Sequence, residues 1–187
     1  MSSQTRDALI DAAEALLDGG GQDAVTLREV GKRVGVSHNA PYKHFSSKEA
    51  LLAAVAAREL DHYRDAILRA RREAGSPLEA LRTSLHEHVN RSVAHLERFH
   101  LIYGRWTTTD AELIRAAHGA YDAMLDLVRA AQASGSLPPT DPERLAALLR
   151  ATAHGAADLA AAGHLEPEGK GRSDAAGLID DLLAQLG

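Results

Sequence analysis

An all-α protein of about nine helices is predicted by three features of the 187-residue sequence. Alanine occurs 36 times and arginine 17 times, both strong helix formers, whereas Phe occurs only twice and Tyr four times. Apolar residues recur at the three- and four-residue spacing of a buried helix face, and no segment reads as a convincing strand. The breaks between these segments fall on glycine, proline and the short polar residues that cap helices.

Leu9, Ala12, Ala13, Leu16 and Leu17 share one face of a helix over Thr5–Asp18, which Gly19-Gly20-Gly21 ends. Thr26, with Glu29 three residues on, has the form of a capping box and opens a short helix to Val34. Gly35-Val36-Ser37 makes a tight turn, and Ser37 caps a second short helix through about Phe45. Ser47 caps a long helix from Lys48 to about Ala74, and Gly75-Ser76-Pro77 breaks it, with proline at a first helical position. Leu78, Leu81, Leu85, Val89, Ser92 and Leu96 mark the next helix, and Phe99 to Trp106 reads as a short irregular one. Thr107-Thr108-Thr109-Asp110 opens a helix carrying Leu113, Ala117, Tyr121, Met124 and Val128. After the loop Gly135 to Pro139, Asp141-Pro142 starts a helix to about Ala162, and Ser173 caps the last, to Leu186. The long helix from Lys48 reads as a connector, so the functional division is expected near residue 50, into 1–50 and 51–187.

Several classes of function are excluded early. The chain has no cysteine, and therefore no disulfide, thiolate metal site or thiol redox chemistry. Charges interrupt every apolar run before it reaches membrane-spanning length, so no membrane partner is expected. The first residues lack a hydrophobic signal region, and a cytoplasmic location is expected.

The net charge of −5 argues at first against nucleic acid, but its distribution argues the other way. Between Val25 and Ala50 five basic residues stand against two acidic ones, a local charge of +3 that leaves −8 for the rest. The same segment holds two short helices joined by three residues, the helix-turn-helix pattern. Such helices need a tiny residue where they cross and a glycine where the chain turns, roles that Gly31 and Gly35 fit. Val30, Val34, Val36 and Phe45 supply the buried face, and Pro41 falls in a first turn, where backbone N–H groups lack helical partners anyway. The second helix is the one that enters the major groove. Ser37, His38 and Asn39 at its start suit base edges, asparagine being a partner for adenine. Lys43, one turn later, suits a base or a phosphate. Tyr42, His44, Lys48 and Thr26 suit the sugar–phosphate backbone, Lys48 also lying at a helix N-terminus.

Residues from about Thr5 to Val55 resemble the N-terminal domain of TetR-family transcriptional regulators. The resemblance is carried by Val25-Thr26-Leu27-Arg28-Glu29-Val30, by Gly35-Val36-Ser37 and by Ala40-Pro41-Tyr42-Lys43-His44-Phe45-Ser46-Ser47-Lys48-Glu49-Ala50-Leu51. It implies an all-helical homodimer with three N-terminal helices for DNA and the rest for ligand binding and dimerisation. It also implies DNA contact at Thr26, Arg28, Ser37, His38, Asn39, Tyr42, Lys43, His44 and Lys48. Gly31 departs from the pattern, since alanine is commoner there. Phe99-His100-Leu101-Ile102-Tyr103-Gly104 and Ala153-His154-Gly155 resemble the C-terminal domain type named for a Trp-His-Gly motif, with Ala153 where tryptophan is expected.

A regulator of this kind needs an effector pocket, mostly apolar with a few polar groups. The expected lining is His88, Ser92, Phe99, Tyr103, Trp106, His118 and Tyr121, each of which has plain core packing as its alternative. The expected effector is a small apolar or amphipathic molecule. The alanine-rich helix from Asp141 and the stripe Ala175, Leu178, Ile179, Leu182 and Leu186 suit a four-helix homodimer interface. The ten histidines lack metal-ligand spacing, and no nucleophile–base pair is placed for catalysis, so no metal, cofactor or enzymatic activity is expected. Gly169-Lys170-Gly171 imitates a phosphate loop but lacks the hydroxyl residue and the preceding strand. Arg150, His154 and Asp158 form a polar stripe suited to hydrogen bonds between helices. The expected function is a ligand-responsive dimeric regulator, in the first instance a repressor, that leaves a palindromic operator in double-stranded DNA when the effector binds. The alternatives are a helical enzyme carrying a DNA-binding module and an architectural DNA binder without ligand.

Overall fold

The predicted segments appear as eight α-helices and one 3-10 turn in the computed structural model, which describes residues 2–106, 109–169 and 171–187. No strand occurs among the described residues, and no helix there is long and apolar enough to cross a membrane. Thr107, Thr108 and Lys170, which figured in the expected helix start and the imitation phosphate loop, lie outside them.

Helix α1 (Ser2–Ala24) leaves helical geometry at the glycine run, where Gly21 takes φ 66° and ψ −172°. Only glycine adopts that region without strain, which is why the break falls there. Two further helices follow: α2 (Leu27–Val34) and, after the 3-10 turn Pro41–Lys43, α3 (Lys48–Glu73). Ser47 Oγ accepts the Ala50 N–H at 3.1 Å and caps α3 as expected. Helix α4 (Pro77–Ala94) is capped by Ser76, which accepts the Glu79 N–H at 3.2 Å while the Glu79 carboxylate accepts the Gly75 N–H at 2.9 Å. The chain breaks at His95, earlier than the apolar spacing through Leu96 suggests, and resumes as α5 (Leu96–Tyr103).

Helices α6 (Ala111–Ala133) and α7 (Pro142–Ala161) are capped by Asp110 and Asp141. The last helix, α8 (Ala175–Leu186), is capped by Asp174, whose carboxylate accepts the Gly177 N–H at 2.7 Å, and not by Ser173. The Ser173 hydroxyl donates to the Asp174 carbonyl instead. Two adjacent capping residues compete for one helix end, and the charged acceptor makes the stronger bond.

Two compact units divide the chain, the first made of Met1–Leu60 with His95–Ala117 and the second of Asp61–Ala94 with His118–Gly187. Compactness thus divides the chain differently from the functional split expected near residue 50. The first unit buries Leu9, Leu17, Val25, Val30, Phe45 and Leu51 in one core. In the second, α4, α7 and α8 pack on one another around Leu81, Leu85, Leu149, Ile179 and Leu183. The stripe on α8 faces this same core: Ala175 and Ile179 are buried in it, and Leu178, Leu182 and Leu186 pack partly against it.

Candidate nucleic-acid interface

The helix-turn-helix is assembled from local bonds. Thr26 Oγ1 accepts the Glu29 N–H at 3.1 Å, which fixes the start of α2. Gly35 ends it with φ 76° and ψ 27°, its N–H bonded to Lys32 O, while the Val36 N–H reaches Gly31 O at 3.0 Å. This paired closure requires a left-handed residue, and glycine takes that conformation without penalty. Gly31 is buried, and a Cβ there would lie 2.8 Å from Pro41 Cγ, so the close crossing expected at Gly31 is made against the Pro41 ring.

Residues 37–45 differ from the expected short α-helix capped by Ser37. They form a turn followed by the 3-10 turn Pro41–Lys43, closed by His44 N–H to Pro41 O at 3.0 Å. Pro41 has no N–H to donate to Ser37 O, so a regular i to i−4 ladder cannot start there, and the Ala40 N–H bonds Ser37 O instead. The side chains nonetheless stand outward. Thr26, Arg28, Ser37, His38, Asn39, Tyr42 and Lys43 are exposed, and His44 and Lys48 are half-buried. Tyr42, 52% exposed, has its ring 5.9 Å from that of His38.

Most of the cations on this surface are not neutralised. Lys32 lies 3.6 Å from Glu29, but Arg28, Arg33, Lys43 and Lys48 have no carboxylate partner among the described residues. Elsewhere in the same unit arginines are heavily paired. Arg58 lies against Asp7, Asp11 and Glu14, and Arg6 against Glu112. Exposed cations without internal partners, beside short polar side chains on a helix-turn-helix, form a surface suited to duplex DNA.

Residues 9–55 match the family described as bacterial regulatory proteins, tetR family, and residues 81–186 match the tetracyclin repressor-like C-terminal domain. The chain belongs to the TetR family. It is therefore a DNA-binding transcriptional regulator, of a family of regulators and not of enzymes. A protein with unknown function from Rhodococcus sp. RHA1 is similar in structure, with TM-score 0.83 and 31% identity across 96% of this chain and 92% of that one. The HTH-type transcriptional regulator BetI of Rhizobium meliloti (strain 1021) is 37% identical over 79 residues, 42% of this chain; the chain matches only 39% of that relative's length. AibR, solved in complex with isovaleryl coenzyme A and operator DNA, shares the fold at TM-score 0.69 and 17% identity, over 97% of each chain.

The expected pocket residues of this regulator fall into both compact units. Phe99, Tyr103 and Trp106 belong to the first, where Phe99 is buried and Tyr103 meets it edge-on at 5.1 Å. Trp106 packs against the core of that unit. His88, Ser92, His118 and Tyr121 belong to the second. There the His88 ring lies 4.5 Å from Tyr63, and its Nε2 is buried. Burial, with His154 nearby, pushes the His88 pKa down to about 4, so the ring is neutral at pH 7. The Ser92 hydroxyl donates to the His88 carbonyl at 2.7 Å and is spent on its own helix. His118 and Tyr121 are exposed. On α7, within the Arg150, His154 and Asp158 stripe, His154 Nε2 lies 3.5 Å from the Asp158 carboxylate one turn on.

One cluster escaped the sequence reading. Buried Arg98 on α5 donates to Glu14 at 3.1 Å and Asp18 at 2.8 Å on α1, and to Glu59 at 3.0 Å on α3. Burial pushes the Glu14 carboxyl above its ordinary value, with Arg98 and Arg58 pulling it back. A faint signal existed: Glu59 follows Val55 by four positions and so shares its buried face.

Proposed function

We propose that this regulator is a homodimeric, cytoplasmic repressor that holds a palindromic operator through residues 26–48 of each protomer and leaves it when a small amphipathic effector binds the C-terminal region. The observation that carries the reading is the exposed run Ser37, His38, Asn39, Tyr42 and Lys43, followed by Lys48, with its cations unpaired among the described residues. Ser37, His38 and Asn39 read base edges, and Lys43 reads a base or a phosphate. Thr26, Arg28, Tyr42, His44 and Lys48 hold the phosphate backbone.

Dimerisation is supported by geometry of recognition, since one short segment reads too few bases to select a site in a genome. The occurrence of an acyl-coenzyme A and operator DNA together in AibR supports an amphipathic effector. The residues proposed to meet it are His88, Ser92, His118 and Tyr121 within the second unit and, as a separate group, Phe99, Tyr103 and Trp106 within the first.

A fluorescence-anisotropy titration on duplex DNA over a range of salt concentrations tests the DNA half of this reading. Lys48→Ala is expected to weaken binding to every duplex and to lower the slope of log K against log salt by about 1. Asn39→Ala is expected to leave that slope intact while relaxing the preference for a selected site by roughly 10-fold. Wild-type affinity and slope in both variants would overturn the assignment.

A further inference from the structure

We propose that a groove in the first compact unit, which shares Trp106 with the aromatic group named above, takes a compact amphipathic carboxylate between Lys48, Arg105 and Trp106. The groove has a volume of about 410 Å³, large enough for a small molecule, and its floor includes the buried side chains of Leu52 and Leu101. Trp106, packed against the same core, closes one side. Its indole N–H is buried, with no acceptor among the described residues.

The charged lining selects the sign of the ligand. Lys48 and Arg105 stand against a single carboxylate, Glu49, and neither cation has an ion-pair partner among the described residues. One anionic group satisfies both cations, and a guanidinium binds a carboxylate through two parallel hydrogen bonds. The apolar floor selects the rest. A free phosphate or a small dicarboxylate leaves Leu52, Leu101 and Trp106 uncovered, and a neutral hydrocarbon leaves the cations unmet. An apolar body of six to eight carbons carrying one carboxylate covers both.

Lys48 links this groove to DNA. A carboxylate held there neutralises a charge that the proposed function assigns to a DNA phosphate, so ligand and duplex oppose each other by direct competition, and the coupling is reciprocal. That consequence rests on the proposed DNA contact of Lys48; occupancy of the groove does not.

The full-length protein without DNA provides the first test, because Trp106 is its sole tryptophan. Titration with cyclohexanecarboxylate is expected to give a saturable change in tryptophan emission. The alcohol of the same shape, cyclohexylmethanol, should bind at least about 10-fold more weakly. Arg105→Gln is expected to raise Kd by a similar factor with an unchanged thermal melt, since Arg105 is exposed. No saturable change, equal binding of the alcohol or an unaltered Kd in Arg105→Gln overturns the site. The second test is anisotropy on a duplex, with sodium chloride matched to the carboxylate salt. The carboxylate should weaken duplex binding by the wild type and not by Lys48→Ala. A saturating tryptophan signal with duplex affinity unmoved overturns the competition while the site stands. A wild-type protein that binds no duplex overturns the proposed function, and the tryptophan titration still decides the groove.

Discussion

Gly31 and Pro41 constrain each other. Alanine is favoured over glycine inside a helix by about 1 kcal/mol, yet a Cβ at position 31 would sit 2.8 Å from a ring carbon of Pro41. Proline rings pucker but cannot rotate away, and overpacking typically costs about 1–3 kcal/mol. Gly31→Ala is therefore expected to lower stability by roughly 1 kcal/mol in the native chain and to raise it in a Pro41→Ala background. A double-mutant cycle in urea unfolding reads the difference; a stabilising Gly31→Ala beside the intact proline would show that the helices separate freely. His88 poses a second single-residue question. Its pKa is pushed from the ordinary 6.5 down to about 4 by burial, so the unfolded chain takes up a proton at higher pH than the folded one. Stability is then lost as pH falls from about 6.5 toward 4, by about 2 kcal/mol at pH 5. Unfolding free energies measured from pH 7 to 4.5 should show a shallower acid decline in His88→Gln.

At the scale of elements, α5 is attached to α1 and α3 by charge as well as by apolar contact. Arg98 is surrounded by Glu14, Asp18 and Glu59, and both Arg98 and Glu59 are buried. Removing one member of a buried ion cluster leaves the others desolvated without compensation, which costs about 3 kcal/mol. Arg98→Met is expected to destabilise by that order. Adding Glu59→Gln should recover part of the loss, because it removes the stranded carboxylate charge. Chemical denaturation of the single and double variants measures both, and a fully additive pair would mean that the two charges do not interact. The cluster was hard to read in the sequence. Its members come from three helices, and no local spacing relates Glu14 to Arg98. The caps, by contrast, were legible at Thr26, Ser47 and Asp141, because a cap joins residues only two or three apart.

For the whole molecule, the charge pattern and the apolar surface point to assembly on a polyanion. Positive charge is gathered at residues 25–50 in a chain of net −5, so repulsion by the acidic remainder leaves that segment as the favoured approach to DNA. The apolar stripe of α8 is buried or half-buried against the chain's own core, so the most exposed large apolar side chains on α7 and α8 are those of α7. Leu148 and Leu159 there are 47% and 46% exposed, with Ala151 and Gly155 on the same face leaving room for close approach. If these side chains form the interface of the proposed homodimer, a Leu148→Glu, Leu159→Glu double variant is expected to shift it from dimer to monomer in light scattering at micromolar concentration and to weaken binding to the proposed palindromic operator by more than about 10-fold, since a lone protomer would hold one half-site. A dimer that survives both substitutions would place the interface elsewhere.

The sequence by itself determined the helical class, the starts of α2, α3, α4 and α7, the turn at Gly35 and the exposed polar side chains Ser37, His38, Asn39, Tyr42 and Lys43. These follow from spacing, capping and glycine conformation, all of which act between residues a few positions apart. Tertiary structure alone decided that Pro41 packs on Gly31, that Asp174 and not Ser173 caps α8, that Arg98 is ringed by carboxylates, and that Trp106 shares a groove with Lys48 and Arg105. Each of these depends on which surfaces meet after the chain has turned several times. The helical period says which side chains share a face, but packing chooses the face opposite.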